Sequence, residues 1–196
     1  MQYMGKSVFF LMVILFFCSA ASVGASPAQD QLKQTIDSII AVLKNPEFKS
    51  ETQKENRRVA LKNIVAERFD FEKMSQLSLA RHWKERTESE KSEFVVLFGR
   101  LLEDTYIAKV EAYTDETVVF LNERIEKKKA QIDTKVATKS VEIPINYRMY
   151  TRENGQWMVY DVVIEGVSLV GNYRSQFGQI LEKDSFEVLM DKLKKK

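Results

Sequence analysis

The hydrophobic period of this chain switches from about 3.6 to 2 just after Tyr113 and returns to helical spacing beyond Glu165. Helices come first, then a run of strands, then helices again. That order reads as an α+β fold, with helices packed on one face of a curved antiparallel sheet.

The spacing predicts a first helix from Ala28 to Lys44, with Leu32, Ile36, Ile39, Ile40 and Leu43 on one face, stopped by Asn45-Pro46. A second runs from about Thr52 to Arg68 through Val59, Leu61, Ile64 and Val65. Asp70 is placed to cap a short helix through Met74 and Leu77. Thr87-Glu88-Ser89-Glu90 has the form of a capping box, in which hydroxyl and carboxylate satisfy each other's backbone amides. The helix after it carries Phe94, Val95, Val96, Leu97, Phe98, Leu101, Leu102, Tyr106, Ile107 and Val110, a stripe wider than a surface helix needs. It is expected to be the central helix.

Four strands are expected: Val118 to Ile125, residues 129–138, Val141 to Met149, and Gln156 to Glu165, each with one dry face. Pro144 cannot donate to a ladder, so its strand is expected at an edge or bulged. Asn154-Gly155 favours a tight hairpin between the last two strands. Leu169, Tyr173, Phe177 and Ile180 then share a helical face, with Ser168 as its N-cap. Asp184 or Ser185 is placed to cap a last helix through Phe186, Leu189, Met190 and Leu193, and Lys194-Lys195-Lys196 suits its C-terminal dipole.

Residues 1–25 hold one charge, Lys6, an apolar run from Val8 to Phe17, and small residues ending Val23-Gly24-Ala25. This is the order of a removable export signal, and ten apolar residues fall short of the ~20 that cross a bilayer. Cleavage after Ala25 takes Cys18 with it and leaves one domain over residues 26–196 without a thiol for a disulfide or a nucleophile. The charge balance, 30 Lys and Arg against 28 acids before Lys6 is lost, argues against a nucleic-acid binder.

Catalytic constellations are thin. His82 is the single histidine and has no cysteine or second histidine with which to share a metal, so a structural role is expected and no metal site. Asp161 and Glu165 share a strand face, but four residues span about 13 Å, beyond either glycosidase geometry. Ser168 lacks the Gly-x-Ser-x-Gly elbow, and there is no glycine-rich phosphate loop. What stands out is apolar surface, and a filled core and a ligand cavity are written with the same residues. From the residues alone, three readings stay open: a ligand carrier, an envelope adaptor with a filled core, and a hydrolase using Asp161 or Glu165.

Two segments add a resemblance. Asn154 through Val170, containing Tyr160-Asp161-Val162 and Glu165-Gly166-Val167-Ser168, followed by Asn172-Tyr173-Arg174-Ser175-Gln176-Phe177, resembles the C-terminal signature of the MlaC (toluene-tolerance) family. Phe71, Leu77, Arg81, Trp83, Phe94, Phe98, Leu101 and Tyr106 are similar in order to that family's middle. The resemblance implies a nuclear-transport-factor-like fold with an apolar pocket for phospholipid tails. It also implies a monomeric, non-enzymatic periplasmic carrier whose ligand is phospholipid, with no further cofactor. Its implied partners are an outer-membrane lipoprotein and an inner-membrane ATPase-linked lipid transporter. The same motifs fit hopanoid-linked relatives. One departure is the charged stretch Glu126-Lys127-Lys128-Lys129. On facing alone, the pocket wall is expected at Phe94, Leu97, Phe98, Leu101, Tyr106, Ile143, Ile145, Tyr147, Val162, Ile164, Val167 and Tyr173.

Overall fold

The computed structural model describes residues 25–112, 116–138 and 141–195. Residues 1–24 of the expected export signal, with Cys18, lie outside the described residues, as do Tyr113 and Lys196. Among the described residues no helix is long and apolar enough to cross a membrane.

Helix α1, Pro27–Lys44, starts where Ser26 accepts from the Ala28 and Gln29 amides and Pro27 supplies a preset φ. It lays Ala28, Leu32 and Ile36 on the sheet. After two 3-10 turns comes α2, Lys54–Arg68, a polar helix whose one fully buried residue is Leu61. Asp70 caps α3, Phe71–Leu79, by accepting from the Lys73 amide at 2.8 Å. The Asp70 amide donates to the Val159 carbonyl, which fixes the α2–α3 corner to the sheet. The capping box of Thr87 and Glu90 forms and opens α4, Glu88–Glu111, about 36 Å long at 1.5 Å per residue.

The sheet is an antiparallel meander, β1 (Thr117–Glu126), β2 (Lys129–Ala137), β3 (Glu142–Thr151), β4 (Trp157–Ile164) and β5 (Val167–Ser168), in that spatial order. The chain returns as α5, Leu169–Leu181, and α6, Phe186–Lys194. Ser168 caps α5 through the Gly171 amide, whereas Ser185 at the start of α6 makes no side-chain cap bond.

Four details differ from the sequence expectations. A fifth strand of two residues follows β4, because Glu165 and Gly166, at φ 50° and 82°, turn the chain back so that Val167 pairs with Ile164. The strand of Pro144 is interior, between β2 and β4. It tolerates proline because the Pro144 carbonyl, and with it the missing N–H, points beyond the end of β4, toward the Glu165 amide. The Asn154-Gly155 hairpin has a three-residue loop closed by Arg152 and Gln156, with Gly155 alone at positive φ. Finally, a bulge at Tyr160 shifts the register of β4 against Arg148 and Met149. It brings Val159 and Val162, three residues apart, into the same apolar cluster.

Two apolar clusters result. One joins α3, the first half of α4, α5 and α6 around stacked and edge-on rings: Phe98 lies 5.1 Å from Tyr173 and 5.4 Å from Phe177, and Phe94 lies 5.5 Å from Phe177. The other joins α1 to Ala130, Ile132, Met149, Trp157, Val159 and Val162 of the sheet. The space between them is not filled.

Candidate functional site: an apolar cavity between helices and sheet

That space is a cavity of about 240 Å³ that opens to solvent, just below the ~300–1,000 Å³ usual for ligand pockets. Its floor is the inner face of β3 and β4: Ile145 and Tyr147 beside their register partners Ile164 and Val162. Its helical walls are Leu102, Tyr106, Ile107 and Val110 from the second half of α4, Leu61 and Val65 from α2, and Ile39 from α1. Phe69, Phe71 and Met74 close the α3 end, and Leu169 enters from α5. Leu61, Val65 and Phe69 follow one another at four-residue intervals, which is how a mostly polar helix presents one dry edge.

The charged groups in the lining are Lys62 and Glu103, paired at 2.8 Å from α2 to α4. A second ionic bridge joins the same two helices. Arg57 donates through Nε and Nη2 to one oxygen of Glu111, at 3.1 and 2.9 Å, and Arg58 donates likewise to the other. The hydrogen bonds from Arg58 hold the Glu111 carboxyl below its usual range against the opposing effect of burial, with Arg57 adding to them. Thus α2 is held over the cavity at its rim by charge, while the interior between the helices stays dry.

Two phenols interrupt that dryness. Burial pushes the Tyr147 hydroxyl up to about 12 and raises that of Tyr106 as well. Neither hydroxyl donates to any described residue. Both residues are half-buried, on a cavity open to solvent.

Of the twelve expected wall residues, the structure brings five to the cavity: Tyr106, Ile145, Tyr147, Val162 and Ile164. Seven lie elsewhere. Phe94, Phe98 and Tyr173 belong to the aromatic cluster, covered by α5 and α6. Leu97 and Leu101 line a separate, more polar cleft of about 240 Å³ with Arg100, Asp104, Thr105 and Leu193. Ile143 sits near the start of β3, outside the lining, and Val167 is 57% exposed on β5. The contributions of α1, α2 and α3 were not expected. Their signal is the modest Leu61–Val65–Phe69 spacing, which looks the same whether it meets a neighbour or a void.

The catalytic candidates are occupied structurally. Asp161, 3% exposed, accepts from Arg148 at 3.0 Å, the Ser168 hydroxyl at 2.7 Å and the Val170 amide at 3.1 Å, and so anchors the start of α5. Glu165 is exposed in the β4–β5 turn, apart from it. His82 lies off the cavity beside Arg81 and Glu85. No group of three potential metal ligands occurs among the described residues.

Comparison with solved structures gives the same architecture in a phospholipid-binding protein from Ralstonia solanacearum, determined in complex with a phospholipid. It is 24% identical, with a TM-score of 0.78 over 87% of this chain and 96% of that one. No curated protein matches the chain. The family model described as MlaC protein matches residues 33–195, from α1 to the end of α6, so the chain belongs to the MlaC family.

Proposed function

We propose that this protein is a soluble periplasmic phospholipid carrier that holds acyl tails in the cavity while the head group stays at the mouth in water. The observation that carries the reading is the cavity itself, open to solvent and lined by apolar side chains save the Lys62–Glu103 pair and the phenols of Tyr106 and Tyr147. Exposing acyl chains costs ~0.8 kcal/mol per methylene, so two chains of about 16 carbons face a barrier of order 20 kcal/mol to enter water. A dry sleeve lowers that barrier, and it needs no catalytic group. Membership in the MlaC family and the phospholipid-bound Ralstonia protein support the same reading.

On this reading residues 1–25 direct export and are removed, and the carrier exchanges lipid with an outer-membrane lipoprotein and an inner-membrane ATPase-linked transporter. Delivery is then set by differential affinity or by the partner's conformational cycle. The test has two parts. The mature chain should begin near Ser26 and be released with the soluble periplasmic fraction; an N-terminus at Met1 or recovery in the membrane pellet contradicts this. Delipidated protein mixed with vesicles of labelled phosphatidylethanolamine should withdraw label into a soluble complex of one lipid per chain. Label that stays with the vesicles contradicts the carrier.

A further inference from the structure

We propose that the Tyr147 hydroxyl donates a hydrogen bond to an ester carbonyl of the bound lipid, so that the pocket distinguishes ester-linked from ether-linked glycerophospholipids. The inference rests on the carrier reading above and goes further by naming the polar group the cavity recognises.

Tyr147 stands in the middle of β3, in register with Ile132 on one side and Val162 on the other, both buried and apolar. It lines the cavity, and among the described residues its hydroxyl has no hydrogen-bond partner. A side chain needed only for volume would serve as phenylalanine, whereas the hydroxyl of half-buried Tyr147 opens onto the cavity, where acyl tails that displace solvent would leave it without a partner unless a ligand atom accepts from it. Burial holds the phenol in its protonated form up to about pH 12, so it is available as a donor at any physiological pH.

Its surroundings define the acceptor. The one lining carboxylate, Glu103, is engaged by Lys62 at the rim. The other lining phenol, Tyr106, lies on the opposite wall with the Lys109 ammonium 5.4 Å from its ring centroid. The interior therefore offers donors and no unengaged carboxylate. Acyl tails carry no hydrogen-bonding group, and the ester carbonyls are the acceptors that enter next to them. An ether oxygen is a much weaker match for a phenol than a carbonyl, whose lone pairs lie in open directions.

The experiment is a competition. Delipidated full-length mature protein is mixed with equal amounts of dipalmitoyl phosphatidylglycerol and its dihexadecyl ether analogue, and the bound ratio is read by native mass spectrometry. Wild type should favour the diester by about three- to tenfold, the range of one net hydrogen bond. Tyr147→Phe should bring the ratio near one while binding of the diether stays within about twofold of wild type. As an independent readout, the ester carbonyl stretch of bound lipid should move to lower wavenumber in wild type and return in Tyr147→Phe. An unchanged ratio and unchanged stretch in a folded Tyr147→Phe, or no preference in wild type, overturns the proposal while leaving the carrier standing. Binding of neither lipid overturns both.

Discussion

The two halves of α4 carry similar apolar side chains and end in opposite surroundings. Phe94 and Phe98 are covered by α3, α5 and α6, with aromatic rings interlocked 5–6 Å apart into an ordinary filled core. One turn later, Leu102, Tyr106, Ile107 and Val110 face an open space. The helix opposite them, α2, contributes short aliphatic residues along one edge and is fastened by Arg57, Arg58 and Lys62 to Glu111 and Glu103 rather than by interdigitation. Whether an apolar stripe makes a core or a container is therefore decided by the partner element. A container needs a wall that is held in place from its rim.

The largest effect should come from placing the same charge in each region. Phe98→Glu buries an unpaired carboxylate among rings, worth about 3–5 kcal/mol or more, and should abolish the cooperative melt. Val162→Glu puts the carboxylate on the cavity wall, where water can reach it or it can neutralise. It should keep a cooperative melt near that of lipid-stripped wild type and carry no lipid. Circular-dichroism melts with parallel lipid extraction check both, and if Val162→Glu unfolds as Phe98→Glu does, the two regions are alike.

Removing lipid should act on the hollow region alone. A ligand bound only by the native state adds about 2.7 kcal/mol at one hundred times Kd, which for a domain of this length lowers the melt by roughly 5–10 °C when it is stripped. Phe98→Ala should cost about 3–5 kcal/mol whether or not lipid is present. Val162→Glu should show no shift on stripping, since it has no lipid to lose.

The sequence carried the architecture further than the site. The period change at Tyr113 separated helices from sheet, and the caps at Asp70, Thr87 and Ser168 form as their spacing required. The bulge at Tyr160 was hidden because Trp157-Met158-Val159-Tyr160 has no polar residue to reveal a change of face. The division of α4 was hidden for a related reason. Periodicity reports which side of a helix is dry, and Phe98 and Tyr106 lie two turns apart on similarly dry sides. What differs is long-range: the rings of Tyr173 and Phe177 pack against the first, while the second lines the cavity.

A smaller effect tests the rim. Glu111 is held below its ordinary value of 4.5, first by Arg58. A carboxyl lowered in the folded state stabilises fully above its unfolded value, and that contribution is lost as pH falls through the folded value. Glu111→Gln should therefore lower the melt by a few degrees at pH 7, on the order of one charged hydrogen bond. The gap from wild type should narrow below about pH 4.5 as the wild-type carboxylate takes up its proton. A gap that is constant with pH would mean that the arginine pair does not hold this seam.

The central claim, that the space between α2, α4 and the sheet is a container for lipid, is tested most directly by native mass spectrometry of the mature protein purified without detergent from a phospholipid-replete host. The account predicts a folded species heavier than the polypeptide by one phospholipid, with that lipid identified on organic extraction and absent from Val162→Glu. A wild-type spectrum showing the bare polypeptide alone, with added phospholipid producing no adduct and no change in the melt, would contradict it.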